Sequence, residues 1–369
     1  MTDRQEHDEA QASGDAGAAP GWEAIDAALA ALYGDQTPKH YGTLIGYRLG
    51  GPDPLDGISA YRRTTPRPHW HVVTYGFSDL YDKETEDAER SGYGFELSFR
   101  LADDALATAG EDAEPPMWVI GFLQNLARYV FGSGNVFEAG HYMHLNGPIA
   151  LGHDTAIQSI AFLRDPELPP IDTPNGRVEF LQVVGITLDE EQAFKRWTTL
   201  KALEVLAPSL PLFVTDLGRR SLLEDTAIAT ALAEGSARDG SNTGFLFLER
   251  VLWSRRKRLL RAPTYEIAFG AGQVPELVAL LPARLPFGRP LLLAGREARV
   301  TIAPGERCSV VEDDDHLQVV LDDATCRALV ATLLPKAGTY RIPGLDAVTF
   351  EVHRTEIRDG EGQVVQVIG

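Results

Sequence analysis

The two histidines of His69-Trp70-His71 are the most suggestive chemical feature of this 369-residue sequence. Residues two apart in a β-strand point to the same face, so both imidazoles could reach one metal ion. A metal-dependent hydrolase would need a third ligand, for which Asp79 or Asp82 is available. The alternative is a structural pair that flanks Trp70 on a sheet. We favour this alternative because the spacing matches no zinc pattern.

Other catalytic motifs are absent from the sequence. It has no G-x-S-x-G elbow, and neither Cys308 nor Cys326 has a recognisable catalytic or zinc-binding context. It also lacks the phosphate loop G-x-x-x-x-G-K-[ST] and the dinucleotide motif G-x-G-x-x-G. Carboxylate pairs such as Asp53 and Asp56 occur in turns, where aspartate bonds its own backbone. The sequence therefore predicts a protein that is not an enzyme and that uses no cofactor.

One basic run, residues 255–258 (RRKR) with Arg261, could contact nucleic acid or an acidic partner. The alternative is an exposed surface balanced by nearby acids such as Glu249 and Glu266. We favour the second interpretation because the formal net charge is -19 and the pI about 4.9. Such a chain repels nucleic acid and anionic lipid and attracts basic partners. We therefore expect neither direct nucleic-acid binding nor membrane binding.

The elements that position these residues are strands and helices in irregular order. The clearest strand pattern lies at residues 92–101, where large apolar residues alternate with small or polar ones. Further strands are predicted at residues 43–49, 69–77, 157–163, 177–187 and 212–215. Helices are predicted at residues 22–33, 115–131 and 189–206, and from Ser221 to Gly235. Strands and helices do not alternate regularly, which predicts an α+β fold with two mixed sheet-and-helix domains.

The length favours two domains, because a single core stops growing at roughly 250–300 residues. Residues 1–20 are polar and acidic and predict a disordered tail. We expect domains at residues 21–238 and 244–369, because residues 236–243 (SARDGSNT) are small, charged or turn-forming. The sequence has no signal-peptide pattern and no apolar stretch of 18 residues, which predicts a cytoplasmic protein.

Several long segments, in order along the chain, resemble the Suppressor of fused family. They are residues 47–62 (YRLGGPDPLDGISAYR), 69–81 (HWHVVTYGFSDLY), 91–101 (SGYGFELSFRL) and 126–131 (LARYVF). The resemblance extends over roughly residues 22–243 and is weaker beyond. It implies a binding protein without catalysis. The animal member of the family is a negative regulator that sequesters zinc-finger transcription factors of the Gli type.

The resemblance also implies a binding site. The animal member holds a peptide as an added strand in the cleft between its two domains. Tyr129 and Phe137 match family positions near that cleft, and His141 replaces an acidic family residue. On the second domain, Leu291 and Leu293 lie in the segment that resembles the facing strand. The replacement at His141 predicts that the animal ligand is not the ligand of this chain.

Two features suggest a bacterial-type member. Arginine greatly outnumbers lysine, and the chain has no room for the polar insertion of animal members. Bacterial members resemble immunity proteins that neutralise a co-encoded toxin, and an acidic surface suits a basic toxin. We therefore expect an immunity function. The alternatives are a regulator that sequesters a transcription factor and the hydrolase that uses His69, His71 and Asp79.

Overall fold

The computed structural model describes residues 19–258, 261–358 and 362–369. The predicted disordered tail lies outside the described residues, except for its last two positions. The α-helices of the described chain are α1 (Pro20–Tyr33), α2 (Met117–Ser133), α3 (Leu188–Arg196), α4 (Thr199–Leu206), α5 (Thr226–Asp239), α6 (Val274–Leu280) and α7 (Asp323–Thr332). No described helix is long and apolar enough to cross a membrane.

The chain forms two compact units. Unit 1 contains the residues up to Glu191 and Leu206–Glu224, and unit 2 contains Gln192–Val205 and Asp225–Gly369. Each unit combines helices with sheets, which confirms the predicted α+β class. Helix α5 belongs to unit 2 in this division. The division at residues 236–243 stays a prediction.

Unit 1 is built around one eight-stranded mixed sheet. Its strands are β1 (Lys39–Gly42), β2 (Gly57–Arg63), β3 (His69–Tyr75), β4 (Arg90–Ala102), β5 (Tyr142–His144), β6 (Ile157–Arg164), β7 (Ile171–Thr173) and β8 (Gly176–Thr187). The order is β1-β2-β3-β4-β8-β6-β5, and β7 pairs with β8. Strands β4 and β8 are parallel, and the other pairs are antiparallel.

Both faces of this sheet are buried. On one face, Leu97 and Phe99 of β4 share a core with Leu123 of α2. On the other, Ile25 and Leu29 of α1 belong to a second apolar cluster with residues of β3 and β8. The polar residues of β4 are therefore covered as well: Glu96, Ser98 and Arg100 are fully buried. Burial of a polar group without a hydrogen-bond partner costs free energy, so most polar groups on such a face need partners within the protein.

Four local predictions are wrong. The single helix predicted at residues 189–206 is two helices, α3 and α4. Residues 43–49 form no strand, because β1 ends at Gly42 and a 3-10 turn follows at Tyr47–Leu49. Residues 212–215 also form no strand beyond one bridge between Thr215 and Leu101, since a 3-10 turn occupies Pro211–Phe213. The predicted helix from Ser221 to Gly235 begins later and ends later, as α5. The Asp225 side chain caps its N-terminus by accepting a hydrogen bond from the backbone N–H of Ala227.

Unit 2 contains three sheets. Its strands are β9 (Phe245–Phe247), β10 (Val251–Arg258), β11 (Arg261–Gly270), β12 (Leu291–Ala294), β13 (Arg299–Pro304), β14 (Ser309–Asp313), β15 (His316–Leu321), β16 (Gly338–Arg341), β17 (Val348–His353), β18 (Thr355–Arg358) and β19 (Val364–Ile368). The sheet orders are β10-β11-β17-β16, β14-β15-β13-β12-β9 and β18-β19. One core contains Phe269 and Phe350 of the first sheet, Leu293 of the second, Leu277 of α6 and Leu329 of α7.

Candidate functional site

The imidazoles of His69 and His71 are fully buried, and each is hydrogen-bonded to the protein. His69 Nδ1 donates to the carbonyl oxygen of Arg67 at 2.7 Å. His71 Nε2 donates to Asp165 Oδ2 at 3.2 Å, and the Tyr33 hydroxyl therefore donates to Nδ1 at 2.5 Å. Burial lowers the pKa of both histidines, that of His69 to about 4, so both rings are neutral near pH 7.

Asp165 is the centre of this buried network. Arg100 forms a bidentate ion pair with it, from Nη1 to Oδ2 at 2.6 Å and from Nη2 to Oδ1 at 3.0 Å. Ser98 Oγ donates to Oδ2 at 2.6 Å, and the backbone N–H groups of Glu167 and Leu168 donate to Oδ1. Burial alone would raise the pKa of Asp165, but the hydrogen bond from His71 and the Arg100 charge hold it well below its usual range.

The proposed third metal ligands do not complete a site with the histidines. Asp79 Oδ2 accepts hydrogen bonds from Thr85 Oγ1 at 3.0 Å and from the backbone N–H of Glu84 at 3.2 Å. Among the described residues, no group of three or more His, Cys, Asp or Glu side chains could hold a metal ion. The observed contacts of His69 and His71 are hydrogen bonds to Arg67, Asp165 and Tyr33 within unit 1.

The predicted partner residues Tyr129 and Phe137 contact each other. The Tyr129 ring stacks on Phe137 with centroids 5.7 Å apart, and Phe137 stacks on Phe162 of β6 at 4.3 Å. Phe137 is buried, whereas the Tyr129 side chain is 42% exposed at the end of this stack. The stack therefore presents one aromatic side chain to solvent and anchors it in the core through the other two.

His141 lies on the turn that leads into β5. Its backbone N–H donates to the Glu138 carbonyl at 3.0 Å, and its carbonyl accepts from the Phe162 N–H at 2.9 Å. Its Nδ1 accepts from the Glu138 N–H at 3.2 Å, and its side chain is exposed. The structure therefore places His141 beside the aromatic stack and at the start of a terminal strand.

Strand β5 is the last strand of the unit 1 sheet, and it pairs with β6 and no other described strand. The N–H of Leu145, just after β5, donates to the Gln158 carbonyl on the β6 side at 3.0 Å. Backbone groups alternate in direction along an antiparallel strand, so the N–H and C=O of His144 point to the opposite side. An edge of this kind can accept a further strand.

A cavity of about 490 Å³ lies beside Phe137. Its lining includes Phe95, Phe137, Glu138, Arg164 and Glu179. Arg164 Nη2 and Glu179 Oε1 form an ion pair at 3.0 Å. The cavity therefore offers apolar surface with charges of both signs next to the aromatic stack.

Leu291 and Leu293 are placed differently from the prediction. Both side chains are fully buried in the unit 2 core, and β12 is paired on both edges, with β13 and with β9. They therefore cannot contact a partner directly. The terminal strand of this sheet is β9, on which Phe245 and Phe247 are 63% and 62% exposed. Phe245, Leu246 and Phe247 are all apolar, so the sequence alone does not indicate that Phe245 and Phe247 are exposed while Leu246 is buried.

The basic run lies on β10, where part of its charge is balanced. Arg256 pairs with Glu266, as predicted, and Arg255 Nη1 lies 3.4 Å from Glu312 Oε2. Glu312 is on β14, far away in sequence, so only the first of these pairs could be predicted. The run therefore resembles a solvated, charge-paired strand face.

Comparisons with known proteins identify relatives. The family model Suppressor of fused protein (SUFU) matches residues 51–220. Human Suppressor of fused homolog is 37% identical over 228 residues, which are 57% of this chain and 46% of the human protein. The chain thus spans about half the length of the curated relatives it matches.

Two solved structures agree with this result. The crystal structure of Drosophila Suppressor of Fused matches with a TM-score of 0.76 at 23% identity, covering 90% of this chain and 97% of that chain. The Sufu-Fu complex crystal structure matches with a TM-score of 0.54 at 33% identity, covering 58% of this chain and 97% of that chain. The Drosophila structure supports the fold across 90% of this chain, and the Sufu-Fu complex matches 58% of it.

Proposed function

Because the chain belongs to the Suppressor of fused family, we propose that it is a protein-binding module that holds an extended segment of a partner by strand addition. The observation that carries this proposal is the edge of β5, with the Tyr129 stack and His141 beside it. Backbone hydrogen bonds to β5 would supply affinity. The side chains of Tyr129 and His141 would select among partner segments.

Binding by strand addition needs no catalytic centre. The groups on β5 that would bond to the partner strand are the backbone N–H and C=O of His144. Hydrogen bonds to backbone groups require neither an ionisable side chain with a shifted pKa nor a metal ion. The aromatic stack supplies a rigid apolar contact at low entropic cost, as is common at interfaces. We propose a cytoplasmic, non-enzymatic protein on this basis.

A regulatory role, in which the chain sequesters a partner such as a transcription factor, has the better support. The curated relatives are animal Suppressor of fused proteins, and one solved relative is a Sufu-Fu complex. Neutralisation of a toxin is the second candidate, and its support is the net charge of -19, which favours a basic partner. Bacterial origin and a toxin partner stay predictions from the sequence.

We propose a second, separate contact surface on unit 2. Phe245 and Phe247 replace Leu291 and Leu293 in this role, because their side chains are exposed on a terminal strand. Replacing both phenylalanines by serine keeps the length of β9 and removes its apolar face. If unit 2 contributes to partner binding, this variant weakens it while Leu291→Val, a small change in the core, leaves it unchanged.

The experiment begins with affinity capture of the tagged chain from its native lysate, followed by mass spectrometry. The captured partner is then produced in pure form, and its affinity is measured for wild type, His144→Pro, Tyr129→Ala and Leu151→Ala. Proline at position 144 removes the outward N–H, and proline is tolerated on an edge strand whose N–H faces solvent. Leu151 is an exposed apolar residue and serves as the matched control.

We expect His144→Pro and Tyr129→Ala each to weaken binding roughly tenfold or more, as for truncated interface anchors. Leu151→Ala should stay within about twofold of wild type. Circular dichroism confirms that the variants are folded. A partner that binds His144→Pro as tightly as wild type would exclude strand addition at β5. In that case, weaker binding by Tyr129→Ala would indicate an interface made through side chains, and unchanged binding would indicate that this surface is not an interface.

A further inference from the structure

A second cavity in unit 1, of about 680 Å³, is assembled from the segments that resemble the family most clearly. Its lining comes from the loop before β2, the turn after β3, the start of β4 and the end of α2. The lining includes the side chains of Tyr47, Leu49, Asp56, Tyr81, Tyr93 and Phe131. These segments are far apart in sequence, and the proposed strand-addition edge does not use them.

Aromatic rings form the inner wall of this cavity. Phe131 of α2 is in edge contact with Tyr93 at 5.0 Å and with Tyr47 at 5.5 Å between centroids. Phe77 lies 6.1 Å from Phe131 on the buried side. Faces and edges of rings packed in this way form an apolar lining with negative potential over each ring face.

Carboxylates form the polar part of the lining. Asp56, Asp79 and Glu84 contribute acidic groups, and none of the described lining residues is lysine, arginine or histidine. The buried Glu96 lies directly behind, where its Oε1 accepts hydrogen bonds from the backbone N–H groups of Gly76 and Ser78. Acidic groups and aromatic rings together make a site that attracts a cation.

Exposed apolar side chains stand at the mouth of the cavity. Leu49 is 84% exposed and Tyr81 is 50% exposed, and both line the cavity. Their neighbours Leu44 and Ile45 are exposed as well. Contiguous exposed apolar groups rimmed by polar residues are typical of interaction sites.

Backbone packing fixes the shape of the cavity. Gly92 has φ +56°, and a Cβ at this position would lie 2.4 Å from the Phe77 carbonyl oxygen. Gly51 has no room either, because a Cβ there would lie 1.9 Å from the Ile45 carbonyl oxygen. The glycines of the GGPDPLD and SGYG segments are therefore needed to bring these loops together, and the cavity is formed before any ligand arrives.

We propose that this cavity is a docking pocket for a cationic side chain, arginine or lysine, that a protein partner presents next to an apolar residue. The aliphatic stem would lie against Tyr93 and Phe131, and the charged head would lie near Asp56 and Tyr81. The neighbouring apolar residue would cover Leu49. A volume of 680 Å³ is sufficient for two adjacent side chains. The pocket is independent of β5, so it can serve the same partner or a different one.

The test uses two defined probes, acetyl-Leu-Arg-amide and acetyl-Leu-citrulline-amide, which differ in charge and hardly in shape. Binding to the full-length protein is followed by NMR through the backbone amides of Gly76 and Gly92. The variants are Tyr81→Ala, Tyr81→Phe and Tyr129→Ala. Tyr81 is half-exposed, so its replacement should not affect folding, and the amide spectrum verifies this.

The arginine probe should bind saturably, and the citrulline probe roughly tenfold more weakly or not at all. Tyr81→Ala should weaken the arginine probe about three- to fivefold, the size of one exposed cation–π contact, while Tyr81→Phe retains affinity. Tyr129→Ala should have no effect, which separates this pocket from the β5 edge. Equal affinity for the two probes, or no saturable shift at Gly76 and Gly92, would overturn the proposal.

Discussion

Replacing Asp165 by alanine should destabilise unit 1 more than almost any other single change. The carboxylate accepts six hydrogen bonds, two of them from Arg100, and both side chains are fully buried. Without Asp165, the Arg100 guanidinium retains Gln182 and a shared contact with Glu167. Removal of one partner from a buried ion pair costs about 3–5 kcal/mol, because a charge is left buried without full compensation.

Hydrogen–deuterium exchange with mass spectrometry is the suitable assay, because a two-unit chain need not unfold in one step. Amides of β4 and β8 that exchange by opening of unit 1 report its stability directly. A loss of 3–5 kcal/mol corresponds to exchange roughly 100- to 4,000-fold faster. Peptides of β11 and β17 in unit 2 provide an internal reference. Asp172→Ala is the matched control, because its ion pair with Arg177 is long and solvent-exposed.

The double variant Arg100→Met/Asp165→Asn tests the reasoning more sharply. It removes both charges and keeps an oxygen at position 165 that can accept from the Glu167 N–H. If uncompensated charge is the cause, the double variant should be at least about 1 kcal/mol more stable than Asp165→Ala. Two results would refute the explanation. One is exchange in Asp165→Ala within threefold of wild type. The other is a loss of stability in the double variant that equals the sum of the losses in Arg100→Met and Asp165→Asn.

Two further predictions concern Glu96 and Gly92. Burial raises the pKa of Glu96 to about 7, although hydrogen bonds from Ser78, Thr74 and Gly76 act to lower it. The protonated carboxyl therefore contributes its whole free energy of stabilisation below about pH 4.3, the pKa of glutamate in the unfolded chain. This contribution is lost as the pH rises through 7. Glu96→Gln should therefore change the difference in the opening free energy of unit 1 between pH 5 and pH 8 by about 2–3 kcal/mol, measured by hydrogen exchange of the β4 and β8 amides after correction for the pH dependence of intrinsic exchange, and an unchanged difference would contradict the raised pKa. Gly92→Ala should cost about 2 kcal/mol or more, because its Cβ meets backbone atoms. Gly134→Ala, also at positive φ but in open space, should cost about 1 kcal/mol in the same exchange assay, and equal losses would exclude the steric cause.

Strands β3, β4, β6 and β8 of unit 1 could be predicted from local sequence patterns, whereas β1, β2, β5 and β7 were not predicted. Residues 92–101 alternate strictly, and β4 occupies them. The fate of their polar face could not be predicted from the same pattern. Asp165 and Tyr33 cover it, and they come from segments about 65 residues away on either side. A polar face that is exposed to solvent and a polar face that is buried in a hydrogen-bond network produce the same alternating sequence pattern, so the sequence alone cannot distinguish them.

The errors at residues 43–49 and at Gly235 have a common cause. Leu44 and Ile45 look like strand residues, but no neighbouring strand is available, and they are exposed. Gly235 looks like a helix end, but a Cβ there would lie 2.5 Å from the Trp197 ring, so glycine allows close packing inside α5. In both cases tertiary contacts decide the conformation, and local propensity does not.

The candidate site could be predicted in part, and the reason lies in what strand addition requires. Tyr129, Phe137 and His141 were found through resemblance, and the structure brings them together beside β5. Leu291 and Leu293 lie on β12, which is not the terminal strand of its sheet, and the sequence could not show this because sheet order depends on pairing across the chain. Phe245 is adjacent in the sheet and distant in sequence from both.

The resemblance to animal Suppressor of fused proteins therefore transfers the scaffold more securely than the partner. The matching segments supply the buried network of His71, Arg100 and Asp165 and the tightly packed glycines such as Gly92. These features stabilise the fold of this chain and involve no partner. An added strand bonds mainly to backbone atoms, which every sequence provides. Under the proposed strand addition, partner choice would depend on the few side chains beside the edge, so His141→Asp is the single change that tests whether this position controls selectivity.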